Sequence, residues 1–443
     1  MTRTLDLTID SIAAGGDGVG RSNGLVVFVP RSAPGDTGRV RIDKAGRFAR
    51  AHWDSIVEPG PERIDPPCTH YVVDRCGGCQ LQHISYPAQL AAKSDFIRDA
   101  LQRIAKRPAI RAPVRRSPTE WRYRRKLTLA LRRRTVGDAW IAGLHPYDSP
   151  GRVFDLVDCP ITDERVLDVW REIRAASQWL PQETELRGAV QISPGGSAAE
   201  TSFLLEGGAR WTTHERFLEA VPLIGALWWQ PHGHARRRLG VRATASSPSS
   251  DDVDSADPAP MLATLADGDD SEARSADASF VQVNSAVAAE LQSYVIGLAL
   301  SRHPATAIDA YAGGGDTAVG LSQAGVRVAA IELDRHGAAR GASRLVSPSR
   351  MVHARVEDVL WEFLPADVVI LNPPRVGVHE RVTTQLSAAT PPGALIYVSC
   401  NPATLARDVA RLPGFRIASV VGFDMFPQTA HVETVCELVP DPR

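Results

Sequence analysis

The chain opens with a region in which apolar and polar positions alternate. Between residues 4 and 58, runs such as LDLTID, LVVFV and RVRID are separated by glycine-rich turns, with no helical spacing of apolar residues between them. Alternation over a few residues is typical of half-buried strands, and short strands joined by tight turns form small antiparallel barrels. We therefore predict a barrel of the oligonucleotide-binding size over residues 1–60.

The last part of the chain has a different pattern, in which apolar runs alternate with helical stretches. From residue 280 to 443, runs such as TAIDA, VRVAAIE, DVVILN and GALIYVS are separated by segments with helical periodicity. This pattern predicts an α/β domain with a doubly wound parallel sheet, in which ligands bind beyond the carboxyl ends of the strands. Residues 61–279 lie between these two regions and are predicted to form a central α+β domain.

Charge and composition narrow the classes of partner. The 50 Lys and Arg residues nearly balance the 51 Asp and Glu residues, so a nucleic acid would have to be bound by local basic clusters. No apolar run approaches the roughly 18 residues that a membrane span needs, and the N-terminus lacks the pattern of a signal peptide. We expect a cytoplasmic protein without a membrane partner, and nothing in the sequence indicates an obligate protein partner.

Two basic segments are candidates for RNA contacts. In the barrel, basic residues would project from neighbouring strands, although a stabilising β-extension is the alternative. These residues are Arg39, Arg41, Lys44, Arg47 and Arg50. In residues 111–134, arginines interleave with Trp121 and Tyr123, which favours phosphate contacts beside stacking surfaces; a solvated strand face is the alternative. Residues 243–279 are rich in Ser, Asp, Ala and Pro and are predicted to be a flexible acidic loop or a weakly ordered edge.

Four of the six cysteines precede residue 160 and suggest a metal centre. Cys68, Cys76 and Cys79 lie close together in the sequence, and Cys159 follows later. Two glycines between Cys76 and Cys79 would let the backbone fold back toward a shared ion. Four thiolates suit tetrahedral zinc or an iron–sulfur cluster, and the sequence alone does not separate the two. Four unrelated buried cysteines are the alternative.

Candidate cofactor ligands lie where the predicted strands end. The segment DAYAGGGD matches the D-x-x-x-G-x-G of S-adenosylmethionine-binding methyltransferases better than a dinucleotide fingerprint, which has G-x-G-x-x-G. Its glycines would let a cofactor approach the backbone closely, and a carboxylate at the end of the second strand suits a ribose diol. The residues predicted to bind the cofactor at these ends are Asp309, Tyr311, Gly313, Gly315, Glu332, Asp358 (ending the third strand) and Asn372 (ending the fourth).

Cys400 and Glu433 are the candidate catalytic pair. Cys400 ends the fifth strand, and the helix expected near Pro402 would aim its positive end at the sulfur and favour the thiolate. A thiolate beside a methyl donor suits pyrimidine C5 chemistry, because C5 becomes nucleophilic only after an addition at C6. Glu433 would then remove the C5 proton. A buried structural cysteine is the alternative for Cys400, and Cys436 is predicted to be structural.

These motifs resemble the S-adenosylmethionine-dependent RNA uracil-C5 methyltransferases that carry an N-terminal TRAM domain and a [4Fe-4S] cluster. The resemblance rests on CGGCQLQH, FVQVN, DAYAGGGD, NPPR, YVSCNPATLARD and FDMFPQTAHVET, in this order along nearly the whole chain. It implies a class I methyltransferase domain, an OB-like TRAM barrel and a flipped-out target nucleotide in rRNA or tRNA.

The resemblance also implies roles for individual residues. Cys400 is the implied nucleophile and Glu433 the implied base. Gln282 is implied to contact the cofactor or base, while Phe280 and Arg375 would bind the substrate. Glu332 and Asp358 are implied to contact the cofactor ribose and adenine. The implied ligands of the [4Fe-4S] cluster, which the resemblance favours over zinc, are Cys68, Cys76, Cys79 and Cys159.

One departure keeps other functions open. The family usually has Asp-Pro-Pro-Arg where this chain has Asn372 before Pro-Pro-Arg, and an amide cannot carry charge or act as an acid. The alternatives are an RNA-binding protein with a catalytically impaired methyltransferase domain, a cytosine-C5 methyltransferase, and an enzyme that methylates amino groups. The last of these would leave Cys400 and Glu433 without a role.

Overall fold

The computed structural model of the protein describes residues 4–108, 110–193, 201–242, 262–263, 282–387 and 390–442. The chain divides into two compact units. The first unit comprises Met1–Asp65, Cys79–Glu120 and Ala286–Arg443, and the second comprises Pro66–Gly78 and Trp121–Ser285. Residues 79–120, which the sequence-based division assigns to the central domain, thus belong to the unit that contains the C-terminal sheet.

Five strands at the N-terminus close into a barrel, as predicted. They are β1 (Thr4–Ile12), β2 (Gly18–Ser22), β3 (Leu25–Val29), β4 (Thr37–Ala45) and β5 (Ala49–Glu58), in the spatial order β1-β2-β3-β5-β4. Alternate residues of these strands fill a small apolar core that includes Leu7, Ile9, Val27 and Val40. Because side chains alternate along a strand, the intervening polar residues face solvent.

The elements between the barrel and the C-terminal sheet are a mixture of helices and strands. They are α1 (Thr69–Val72), α2 (Tyr86–Arg103), β6 (Val114–Arg115), β7 (Lys126–Arg132), β8 (Ile141–Leu144), β9 (Phe154–Asp155), α3 (Glu164–Ala175), β10 (Glu185–Ile192), β11 (Thr201–Glu206), α4 (His214–Ala220), β12 (Ala226–Gln230), β13 (Arg237–Arg242) and β14 (Leu262–Ala263). A turn of 3₁₀ helix covers Ser177–Trp179.

The second unit is built on a sheet with the strand order β14-β13-β12-β11-β10-β7-β8-β9. Helix α3 is amphipathic, and its buried face includes Trp170, which meets Phe203 of β11 edge to face at 5.7 Å between ring centroids. Trp211 and Phe217 extend this aromatic core. The unit is therefore α+β, as predicted. In the acidic segment, residues 243–261 and 264–279 lie outside the described residues, and Leu262–Ala263 form the edge strand β14.

The C-terminal elements form the predicted doubly wound sheet. They are α5 (Ser285–Leu300), β15 (Thr306–Ala310), α6 (Asp316–Gln323), β16 (Arg327–Glu332), α7 (Arg335–Ala342), β17 (Arg350–His353), α8 (Val356–Val359), β18 (Val368–Leu371), α9 (Glu380–Leu386), β19 (Ala394–Ser399), α10 (Pro402–Ala410), β20 (Phe415–Phe423) and β21 (Glu433–Pro440), with 3₁₀ helix at Leu360–Phe363. The strand order is β17-β16-β15-β18-β19-β21-β20-β6, and the first five strands run parallel.

Helices cover both faces of this sheet, which explains the nearly continuous apolar runs of its central strands. Every residue of β18 and β19 is buried. One face packs on apolar residues of α2, α9 and α10, and the other on residues of α5 and α6. Strand β21 runs antiparallel between β19 and β20. Among the helices of the described residues, none has the length and apolar character that a membrane crossing requires.

Candidate active site

The carboxyl ends of β15, β16, β18 and β19 share one edge of the sheet. Strands β16 and β17 lie on one side of β15, while β18 and β19 lie on the other, so the strand order reverses at the boundary between β15 and β18. Ligands of doubly wound folds bind in the crevice at such a switch point. The predicted cofactor and catalytic residues of this unit lie in the segments that follow these strands.

The glycine loop between β15 and α6 has a backbone that requires glycine. Gly313 and Gly315 have φ of +57° and +78°. A Cβ on Gly315 would lie 3.0 Å from the Met351 Cε, whereas a Cβ on Gly313 would point into open space. The loop is anchored by Asp309, which is buried and accepts a 3.0 Å hydrogen bond from the Ala318 amide. Burial raises the pKa of Asp309 to about 7.

Glu332 closes the same loop from the end of β16. Its carboxylate accepts hydrogen bonds from the Gly313 amide at 2.7 Å and from the Asp334 amide at 2.6 Å. A carboxylate has about four lone-pair sites, so these two bonds leave acceptors for the hydroxyls of a ribose. Glu332 therefore orders the glycine loop and still presents acceptor capacity at the crevice.

Asp358 does not end a strand, which corrects the prediction. Strand β17 ends at His353, and Asp358 lies five residues later in α8. Val356 and Leu360 are both buried one helical turn apart, and this spacing favours a helix over a continued strand. The Asp358 carboxylate forms a 3.0 Å ion pair with Arg381 on α9, and both side chains are more than half exposed.

Tyr311 lies between the glycine loop and the segment that follows β18, and its cofactor role stays a prediction. Its φ is +63°, and its hydroxyl interacts with the backbone of His379, in the loop after β18. Burial is the main cause that raises the pKa of this phenol, and the charge of Glu357 adds to it. Tyr311 therefore connects the glycine loop to the segment that follows Asn372.

Arg375, Cys400 and Glu433 come together at the ends of β18, β19 and β21. Asn372, whose amide donates to the Ala310 carbonyl at 3.2 Å, begins the exposed segment that leads to Arg375. The Arg375 side chain lies close enough to both Cys400 and Glu433 to act electrostatically on each of them. The sequence predicted Arg375 only as a substrate contact, so its link to both catalytic candidates is a finding of the structure.

The thiol of Cys400 is less acidic than the sequence indicated. Burial is the main cause that raises its pKa, the charge of Glu433 raises it further, and Arg375 offsets part of the effect. Helix α10 begins at Pro402 as expected, but the Asn401 side chain accepts hydrogen bonds from the amides of Ala403 and Thr404. These amide donors already have a partner within the chain, so the expectation of a favoured thiolate is wrong for the protein without substrate.

Glu433 has the properties of a base that works near neutral pH. It is the first residue of β21 and only 9% exposed. Burial raises the pKa of its carboxyl group to about 7, although Arg375 lowers it. A base with a pKa near the working pH combines a large ionised fraction with useful proton affinity.

The electrostatics of this triad predict how Cys400 reacts with iodoacetamide. We expect its alkylation midpoint to lie above the value of about 8.5 typical of a free thiol. Glu433→Gln should lower the midpoint because it removes a negative charge, and Arg375→Gln should raise it. The measurement is alkylation rate against pH, followed by peptide mass spectrometry; the fully buried Cys436 should stay unmodified in the folded protein. An unchanged midpoint in both variants would contradict the arrangement.

The other residues predicted to contact the substrate lie in the second unit or outside the described residues. Gln282 is half-buried and lies three residues before α5, in the second unit. Phe280 lies outside the described residues. In the basic segment, Tyr123 is buried, and Arg122 bonds to Asp158 and to the carbonyl of Cys159, so these two side chains serve the internal structure of the second unit. A stacking role is therefore excluded for Tyr123.

The four predicted metal ligands are buried thiols. Cys68, Cys76 and Cys159 belong to the second unit, and Cys79 begins a segment of the first. Burial raises the pKa of Cys159, and the proximity of Cys68 raises it further. The donor type suits a soft metal centre. However, no group of three or more Cys, His, Asp or Glu residues in the described part of the chain has the arrangement of a metal site. The cluster stays a prediction.

Comparison with known proteins identifies relatives of the C-terminal sheet region and of the N-terminal barrel. A family model described as tRNA (Uracil-5-)-methyltransferase matches residues 346–439, and a TRAM domain model matches residues 2–52. An uncharacterized RNA methyltransferase of Thermosynechococcus vestitus is 32% identical, with 98% of each chain covered. The 23S rRNA (uracil(1939)-C(5))-methyltransferase RlmD of Pseudomonas putida is 29% identical, covering 97% of this chain and 92% of its own length.

A solved structure shares the fold over the full length. The tRNA (uracil-54, C5)-methyltransferase of Pyrococcus abyssi superposes with a TM-score of 0.67 at 23% identity, covering 98% of this chain and 100% of its own. The relative from Thermosynechococcus aligns over nearly all of both chains, and both family models match where the motifs lie. The chain therefore belongs to the family of S-adenosylmethionine-dependent RNA uracil-C5 methyltransferases that carry an N-terminal TRAM domain.

Proposed function

We propose that the protein transfers a methyl group from S-adenosylmethionine to C5 of a uridine in rRNA or tRNA through a covalent adduct with Cys400. The observation that carries this proposal is the convergence of Cys400, Arg375 and Glu433 at the sheet edge that also bears the glycine loop. C5 methylation requires a nucleophile that adds to C6 and a base that removes the C5 proton, and a cation beside the nucleophile favours its ionised form.

The residues at the switch point fit S-adenosylmethionine. The open space above Gly313 allows close approach of a ligand to the backbone, and Glu332 offers acceptors for the ribose hydroxyls. Asp358 would accept from the adenine amino group through the oxygen that Arg381 does not bind. When bound, S-adenosylmethionine supplies a methyl group on a positively charged sulfur, which is electrophilic enough for attack by an enolate carbon.

The first steps depend on Cys400 and Arg375. The Cys400 sulfur forms a bond to C6 of the uracil, and the electron pair of the C5–C6 double bond moves toward the O4 oxygen. The guanidinium of Arg375 stabilises the thiolate before this addition because its positive charge lies near the sulfur. C5 is then nucleophilic and accepts the methyl group, with the electron pair of the broken methyl–sulfur bond leaving on the donor.

Glu433 completes the reaction. The ionised carboxylate takes the proton from C5, the electron pair of that bond restores the C5–C6 double bond, and the carbon–sulfur bond at C6 breaks with its pair returning to Cys400. The buried site keeps Glu433 largely protonated below its pKa of about 7. Below this pH, Glu433 therefore loses its function as a base, and Cys400 adds slowly to C6 because its thiol is neutral. Both effects should lower the rate of methyl transfer at acidic pH.

The barrel supports RNA as the substrate. Phe48 is 49% exposed and meets Phe28 edge to face at 5.5 Å, so its ring is held on the barrel surface. Exposed Arg47 and Arg50 flank it in sequence, and Arg50 also pairs with Asp17 at 3.3 Å. An aromatic platform with neighbouring arginines suits a base stacked beside its phosphate.

The cysteines are proposed to hold a [4Fe-4S] cluster in addition. The support is the donor set of four buried thiols, two of which interact within the second unit. The catalytic steps above use no group from it. Anaerobically purified protein should absorb near 400 nm and contain iron; zinc without that absorbance would overturn the cluster.

The experiment that tests the function is nucleoside mass spectrometry. Unmodified rRNA and tRNA are incubated with purified protein and S-adenosylmethionine carrying a deuterated methyl group, then digested. We expect labelled 5-methyluridine, whose position names the substrate. Labelled 5-methylcytidine would instead establish the cytosine target for which Asn372 leaves room. RNA that is bound but carries no label would establish an RNA-binding protein with an impaired methyltransferase domain.

A further inference from the structure

The loop that carries Arg375 is packed tightly on α10. Gly377 has a φ of +81°, and a Cβ there would lie 2.3 Å from Asp408 Oδ2 and 2.4 Å from Thr404 Cγ2. The Thr404 hydroxyl donates to the Arg375 carbonyl at 3.2 Å. The backbone of this loop is therefore set by contacts with α10, the helix that directly follows Cys400.

Asp408 lies at the centre of these contacts. It is fully buried, and its Oδ2 accepts hydrogen bonds from the Val378 amide at 3.0 Å and from the Tyr397 hydroxyl at 2.7 Å. Its Oδ1 accepts from Arg407 Nε at 2.9 Å, and Arg407 also donates to the Val376 carbonyl at 2.7 Å. A buried carboxylate is tolerated only when its oxygens have such partners, so the loop and the helix constrain each other.

Asp408 lies on the buried face of the amphipathic helix α10. Leu405, Ala406 and Val409 face the core, and Asp408 lies on the same buried side. A carboxylate at an apolar position of a helix costs free energy unless its oxygens are hydrogen-bonded, and the sequence alone does not show the partners of Asp408.

We propose that Asp408 is a positioning residue for the methyl-transfer reaction, because it fixes the loop backbone that places the Arg375 guanidinium near the Cys400 sulfur. The inference rests on the proposed function, in which Cys400 is the nucleophile. The distance from Arg375 to Cys400 depends on the backbone position of this loop, and a misplacement of about 1 Å is enough to weaken a catalytic arrangement.

The sign of one measurable effect separates positioning from direct electrostatics. The charged groups that act on Cys400 are Glu433, on β21, and Arg375, on the loop after β18. Removing the negative charge of Asp408 would, acting through space alone, make the Cys400 thiol more acidic. Loss of Arg375 from the sulfur makes it less acidic. The two explanations therefore predict opposite shifts.

The test measures alkylation of Cys400 by iodoacetamide against pH in the full-length protein without RNA. Asp408→Asn places an NH₂ group against donors, so the network must rearrange; Thr404→Val removes only the bond to the Arg375 carbonyl. We expect the midpoint to rise by about half to one pH unit in Asp408→Asn, a threefold to tenfold slower reaction at pH 8, with a smaller rise in Thr404→Val.

Two control variants show whether the shift in the midpoint arises through Arg375 or from a general loss of stability. Arg375→Gln should shift the midpoint in the same direction, and Asp408→Asn should shift it no further in that background. Val409→Ala, the next residue of α10, opens a cavity in the core and should lower the melting temperature without moving the midpoint. If Asp408→Asn fails to fold, Thr404→Val carries the test alone.

The outcomes are separable from failure of the proposed function. A midpoint that falls or stays unchanged in both Asp408→Asn and Thr404→Val would overturn the positioning role, whatever RNA the protein methylates. A raised midpoint in a protein whose wild type methylates no RNA would instead retain the positioning of Arg375 and reject the function. Lower kcat with an unchanged KM for RNA in Thr404→Val would support both.

Discussion

Cys400→Ala is expected to abolish methyl transfer while leaving S-adenosylmethionine binding intact. The variant removes the only group that we assign to attack on C6, and without that bond C5 remains a poor nucleophile. The glycine loop and Glu332 do not depend on the sulfur, so the cofactor site should persist. We expect turnover to fall by at least about a thousandfold, as single-turnover kinetics with unmodified RNA would show.

The matched control for this variant is Cys436→Ala. Cys436 is fully buried in β21, and burial raises the pKa of its thiol to about 12, so it has no nucleophilic character at neutral pH. We expect this variant to lose some stability but to keep turnover. Binding of S-adenosylmethionine, followed by calorimetry, should be the same in both variants. Retention of methylation by Cys400→Ala would rule out the covalent mechanism.

Glu433→Gln is expected to trap the covalent intermediate. The amide cannot accept the C5 proton, so addition and methyl transfer proceed while elimination of Cys400 does not. A protein–RNA band that survives denaturation and contains the labelled methyl group should accumulate. Removal of the negative charge also makes the Cys400 thiol more acidic, so formation of the adduct should not be slowed at its first step.

The stability of this variant provides its folding control. The folded-state pKa of Glu433, about 7, is raised above its ordinary value, so the carboxyl group favours the folded state least when it is ionised. Its contribution is fully present below about pH 4.5 and is lost as the pH rises through 7. Glu433→Gln should therefore unfold at no lower temperature than the wild type at pH 8. A stable variant that forms no adduct would count against Glu433 as the base.

The sequence motifs of the C-terminal sheet could be placed correctly on strands, loops and helices because most of them lie where a strand ends. Gly313 and Gly315 require left-handed backbone, Pro402 begins a helix, and the runs around β18 and β19 are too apolar for anything but a covered parallel sheet. These are local constraints of backbone geometry and of burial, and they act between residues that are close in the sequence.

Two kinds of feature escaped prediction: an element whose local signal is weak, and contacts between residues that are distant in the sequence. Asp358 was assigned to a strand because helix α8 is only four residues long and its signal is weak. The interaction of the Tyr311 hydroxyl with the backbone of His379 joins two loops that are far apart in the sequence, and no local pattern predicts it. The two-residue strand β6 joins the C-terminal sheet through pairing with β20, more than 300 residues away along the chain, which no local pattern announces.

The sequence by itself determined the barrel, the doubly wound sheet, and the residue types from which a methyl-transfer site can be made. Only the tertiary structure decided how these residues act on one another. The acidity of Cys400 depends on its burial and on the charges of Glu433 and Arg375, and these three residues lie at the ends of three different strands. The position of Arg375 depends in turn on Asp408, which lies on a fourth segment. Electrostatic effects fall off with distance and with solvent screening, so they follow from the folded arrangement and not from order along the chain.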